Sequence, residues 1–259
     1  MSQFFSISRF GRLFSKHTAE HGRGYLLATG VVLGLLALWL ATSVNGSAVE
    51  PLPVGNQIGA FVTGLLLVGL LFTSSVFAPL GDKRQATAAL MLPASTWEKF
   101  LVGWCYVLPV FLTVYVSGFF LVDALVLHFA AGPGKIAKLL PLFSQESKLY
   151  YILVGYAVLS SGFLWGSIFF QKQHFVRTAF AGLLGAVALV LANTMLAKIL
   201  LKPSLDMVMP FSNVTFQEGQ KWYSVSVAPA YNGWVQWVML GLMLLAWAGA
   251  FARLKEKEI

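Results

Sequence analysis

Charge is scarce in this 259-residue chain: only 11% of it is Asp, Glu, Lys or Arg, and ten residues are acidic. Soluble domains carry about 25%, so an ordinary water-facing globule is excluded. Cysteine is nearly absent. The one thiol, Cys105, has no partner for an internal disulfide and sits inside an apolar run, where it reads as a small buried residue. There is no internal repeat and no low-complexity tract. No stretch between apolar runs is long enough for a separate soluble domain.

What fills the chain is apolar sequence, 58% of all residues. It gathers into six runs, near 25–44, 56–79, 100–128, 149–170, 178–200 and 233–252. A run of about 20 apolar residues crosses the hydrocarbon core of a bilayer as a helix. The backbone must be helical there, because lipid offers no hydrogen-bond partner. The expected fold is therefore all-α, a polytopic membrane protein with six transmembrane helices in one domain spanning 1–259. Within it, 1–24 forms an amphipathic connecting helix and hinge, 80–99 a cytoplasmic segment and 201–232 an outer loop.

The net charge of +8 would point to nucleic acid in a soluble protein. In this composition it points to loop asymmetry instead, and no nucleic acid is expected as a partner. With the N-terminus inside, twelve of the eighteen basic residues and all six arginines fall on the cytoplasmic side. The positive-inside bias thus places both termini in the cytoplasm. Ahead of the first run, Phe4, Ile7, Phe10 and Phe14 recur at helical spacing opposite Arg9, Arg12 and Lys16, the pattern of an interfacial helix on the inner leaflet. The first run begins too late and continues too long for a cleavable signal peptide.

The outer loops differ in character. The first is short and turn-rich. The second contains IAKLLPLF at 136–143, which reads as helical. The third, with VMPFSNVTF and KWYSVSVAPAYNGW, reads as a packed cap or a set of short interfacial elements. Small residues at helix-packing spacing (Gly55 and Gly59, Gly64, Ser117 and Gly118, Gly162 and Gly166, Gly182 and Gly185) are expected to allow close approach of helices.

Three patterns invite chemical readings. His17-Thr-Ala-Glu-His21 matches a zinc-protease pattern, but a catalytic zinc needs a third protein ligand and none is in view. With Gly22 and Gly24 following, the segment reads as a polar hinge, and no metal is expected. GPGKI at 132–136 lacks both the glycine and the hydroxyl residue of a phosphate loop. Asp123 is the one acidic residue well inside a run, and an intramembrane carboxylate is a candidate proton or cation site. It lies near the outer end of a long helix, with His128 in reach of the same interface.

The remaining signal is the cytoplasmic stretch GDKRQATAALMLPASTWEKF. Ser95-x-x-Glu98 is a capping box. Pro93 discourages helix in the residue before it, which sharpens the start. The result is a helix–break–helix element, more than a connection between two spans requires. The order G-D-K-R followed by L-P-A-S-x-x-E-K-F, between the second and third of six spans, resembles the membrane subunits of type-2 ABC exporters, especially permeases of the Bacteroidota kind. That resemblance covers the whole topology, while its sequence-specific part lies at about 81–100. It implies an inner (cytoplasmic) membrane permease whose coupling element, Gln85 to Ser95, docks on a separate ATPase subunit. The docking residues would be Lys83, Arg84, Gln85, Leu92, Pro93, Ser95, Glu98 and Lys99. It further implies a second permease copy or paralogue completing the pathway, with ATP and Mg bound by the ATPase and no cofactor or catalytic residue in this chain. Two alternatives remain at this stage. One is a non-transporting membrane subunit or assembly factor that docks a cytoplasmic partner, and the other is an ion-coupled carrier using Asp123.

Overall fold

The structure is a computed structural model. It describes residues 5–46, 49–81, 94–131, 136–144, 148–170, 172–200, 207–210, 212–218, 221–225 and 233–257. Its helices are α1 (Ile7–Thr42), α2 (Val54–Val76), α3 (Thr96–Cys105), α4 (Phe111–Ala130), α5 (Tyr151–Phe169), α6 (His174–Leu200) and α7 (Trp234–Glu256). A five-residue π-helical segment, Tyr106–Val110, joins α3 to α4 in one rod of 35 residues. Six helical rods are thus long and apolar enough to cross a membrane, and the chain is an all-α, six-span, multi-pass membrane protein. Strands β1 (Val214–Glu218) and β2 (Lys221–Val225) form an antiparallel hairpin.

α1 is a single helix of 36 residues, about 54 Å long at the usual rise. The hinge expected at His17–Gly24 is not a break: helical hydrogen bonding continues through both glycines into the apolar run. No polar residue there competes strongly enough to interrupt the ladder. Thr18 instead turns its hydroxyl back onto the Phe14 carbonyl at 2.8 Å.

The start of α1, the end of α2, the start of α3 and the end of α7 meet at one face of the bundle. There Trp97 stacks on Phe251 with ring centres 4.2 Å apart, and Phe100 meets the same ring edge-on. At the opposite face Ile136 N–H donates to the Val49 carbonyl at 2.9 Å, and Lys138 pairs with Glu50. IAKLLPLF is not helical where it lies, because Leu140 and Leu142 are pressed into the bundle and Gln57 draws the Lys138 carbonyl down at 2.9 Å. Among the described residues of the third outer loop, β2 is exposed, whereas Val208 is buried, donates its N–H to the Thr194 hydroxyl at 3.1 Å and receives Asn193 Nδ2 at its carbonyl at 3.0 Å.

The core turns on the π-helical segment. Pro109 has no N–H to donate, and the ladder widens around it. Phe111 N–H reaches Tyr106 and Leu108 carbonyls, and the Val107 carbonyl takes the buried Tyr156 hydroxyl of α5 at 3.0 Å. A freed carbonyl in lipid must find such a partner. Tyr156→Phe is expected to leave Val107 unpaired and to cost about 1–3 kcal/mol, read as a lower melting temperature in detergent. Tyr151→Phe, at an exposed hydroxyl held by Gln236, should leave that temperature unchanged.

Of the small residues expected at helix contacts, Gly64, Gly118 and Gly166 do face side chains of neighbouring helices. Gly55, Gly59, Gly162, Gly182 and Gly185 meet nothing within 4 Å among the described residues. Gly182 and Gly185 lie on α6, which buries no residue. Further close approaches lie at Gly69, Gly103 and Gly249.

Candidate functional site

The start of α3 is built from the capping box. Ser95 has extended backbone angles (φ −71°, ψ 154°), and its hydroxyl accepts the Glu98 N–H at 3.3 Å. Glu98 Oε2 reaches back to accept the Ser95 N–H at 2.9 Å. Lys99 N–H, next along, donates to the Ser95 carbonyl at 3.1 Å, closing the first turn. Lys83, Arg84, Gln85, Leu92 and Pro93 lie outside the described residues.

Glu98 does more than cap its own helix. Its other oxygen, Oε1, accepts Ser6 N–H at 2.8 Å and Arg9 Nε at 3.2 Å, with Arg9 Nη2 at 3.1 Å. The side chain is fully buried, while that of Arg9 keeps 31% of its exposure. The carboxylate thus joins the first turn of α1 to the first turn of α3 across 92 residues of sequence. Sequence reasoning missed Arg9 as its partner, although a signal was present. A cation in the first turn of a helix opposes the helix dipole and needs an acid nearby.

One turn further in, α1 and the rod of α3 stay in register through aromatic rings. Phe14 stacks on Tyr106 at 4.9 Å, His17 lies 4.5 Å from the same ring, and the Tyr106 hydroxyl bonds Thr18. His17 and His21 do share a face, with ring centres 4.5 Å apart, but His17 Nε2 is engaged by the Tyr25 hydroxyl at 3.0 Å. Glu20 pairs with Lys16 at 3.7 Å. Among the described residues no group of three or more His, Cys, Asp or Glu side chains could hold a metal.

No family model, curated protein or solved structure matches this chain.

Asp123 is brought nowhere near the Glu98 junction. It sits at the opposite end of the same rod, fully buried, and its Oδ2 accepts the Leu140 N–H at 3.4 Å. Gln57, also fully buried, holds the Lys138 and Leu52 carbonyls through Nε2 at 2.9 and 3.2 Å. These two side chains tie the segment around 138–140 to α2 and α4.

Proposed function

We propose that this chain is the permease subunit of a type-2 ABC exporter in the inner (cytoplasmic) membrane, with both termini in the cytoplasm. It works with a second copy or paralogue and is coupled through the turn at 85–99 to a separate ATPase that binds ATP and Mg. The observation that carries the reading is the capped, buttressed start of α3 directly after the basic turn. Ser95 and Glu98 close a capping box, Trp97 and Phe100 pack on Phe251, and Glu98 reaches Arg9. A loop that only connects two spans needs no such foundation, whereas a loop that receives force does. Six apolar rods and the order of residues at 81–100 support the same reading. In this scheme, closing and opening of the ATPase pair tilts the spans as rigid bodies, and the chain itself hydrolyses nothing.

Purification of the full-length chain from its own membrane in mild detergent, followed by mass spectrometry, tests the proposal. An ATPase subunit is expected to co-purify. Reversal of the turn's charge by Lys83→Glu with Arg84→Glu is expected to reduce its recovery severalfold, since charge complementarity governs docking specificity. Recovery of the chain without any ATPase would overturn the reading. Recovery of another cytoplasmic protein lost on the same charge reversal would favour a non-transporting docking subunit.

A further inference from the structure

We propose that Glu98 is a positioning residue that yokes the head of α1 to the head of α3, so that a displacement delivered at the turn before Ser95 moves both spans together. The coupling part of this inference rests on the permease reading; the yoke itself rests on geometry alone.

A capping box needs one carboxylate oxygen, and Oε2 fulfils that role on the Ser95 N–H. Oε1 is therefore available to another segment, and it takes the Ser6 N–H and the Arg9 guanidinium. Ser6 is the N-cap of α1, yet its own side chain makes no capping hydrogen bond. In a capping box the acceptor for the N-cap N–H is the N3 side chain; α1 has Arg9 at N3, which cannot accept, and the acceptor for Ser6 N–H comes instead from a different helix. One buried carboxylate thus stands at the positive ends of two helix dipoles at once. Arg9, one turn into α1, fixes its position by a charge-assisted contact, stronger than a neutral hydrogen bond.

The surroundings leave little room for the start of α3 to yield locally. Trp97 and Phe100 are held by Phe251 of α7, and Gly103 lies against the Phe77 ring at the end of α2. A push at residues 94–95 is therefore passed on as movement of the rod. Through Glu98 it also reaches α1, whose contact with the rod continues inward along Phe14, Thr18 and Tyr106.

Hydrogen–deuterium exchange on the full-length protein in detergent or nanodiscs tests the yoke. Arg9→Gln leaves the α3 capping box in place, so amides 96–103 should keep their protection. Amides 6–12 should exchange about tenfold faster, the lower end of the loss expected for a hydrogen bond to a charged group, and Arg9→Lys should restore part of it. Unchanged exchange over 6–12 in both Arg9→Gln and Glu98→Gln would overturn the yoke. In the complex with its co-purified ATPase, trapping with ATP and vanadate should alter exchange over both 6–12 and 96–103 in the native protein. In Arg9→Gln it should alter 96–103 alone. A response of both segments in Arg9→Gln would overturn the coupling role, since a merely structural cap predicts no such separation. If no ATPase co-purifies, the permease reading fails while the measurement on the isolated chain still decides the yoke.

Discussion

Gly69→Leu should abolish recovery of a monodisperse protein, and Gly69→Ala should lower its melting temperature by several degrees. A Cβ at position 69 of α2 falls onto the ring of Tyr156 and 2.9 Å from Phe111 Cε1. Neither ring has a simple retreat. Tyr156 is fully buried and is fixed through its hydroxyl to the Val107 carbonyl, while Phe111 stacks on both Phe72 and Tyr115. Overpacking of this kind costs about 1–3 kcal/mol, more than the roughly 1 kcal/mol that alanine gains over glycine in a helix. At about 2–4 °C per kcal/mol for a chain of this size, the loss is measurable by thermal unfolding in detergent. Gly182→Ala is the matched control. Position 182 meets nothing within 4 Å on a helix that buries no residue, so there the propensity gain should stand alone and the melting temperature should hold or rise. Equal effects at 69 and 182 would mean that α2 and α5 do not approach at this glycine.

That contrast marks where sequence is informative and where it stops. Length and hydropathy are local quantities, and they give six spans, three of which fall within a few residues of α2, α5 and α7. The capping box is equally local: Ser95 and Glu98 are three residues apart, and their chemistry permits one arrangement. Which glycine touches a neighbour depends on how helices are rotated about their axes, and small-residue spacing does not determine that. Gly69 and Gly182 both lie in apolar runs but have opposite surroundings. The π-helical segment had a visible cause in Pro109, inside an apolar run. Its consequence, a carbonyl offered to Tyr156, needed the third dimension. The same holds for Glu98, whose second oxygen found Arg9 across the bundle. The continuous α1 reflects a different limit. Gly22 and Gly24 weaken a helix by about 1 kcal/mol each, and contacts from Tyr106 to Phe14, His17 and Tyr25 outweigh that penalty.

Asp123 separates a structural role from a transport role. Asp123→Leu removes the acceptor for the Leu140 N–H, and Gln57→Leu removes the donor to the Lys138 and Leu52 carbonyls. A buried backbone group left unpaired costs about 1–3 kcal/mol. The 3.4 Å contact of Asp123 places its loss at the lower end of that range, and Gln57, with two partners, at the upper end. Because both side chains grip the same short segment, the double variant should expose residues 136–142 to exchange and to protease more than the two single effects combined. Asp123→Asn should behave differently. Its amide oxygen still accepts the Leu140 N–H, and the substitution removes a carboxylate from a fully buried position, where ionisation is costly. Stability should therefore be unchanged or improved. If the chain is a permease driven by a separate ATPase, Asp123→Asn should retain ATP-dependent export and remain indifferent to proton or sodium gradients. A carrier that moves an ion through this carboxylate would lose transport in the same variant while staying folded. Measured together, melting temperature and transport place Asp123 in one role or the other: a side chain that holds the 138–140 segment against the bundle, or one that carries charge.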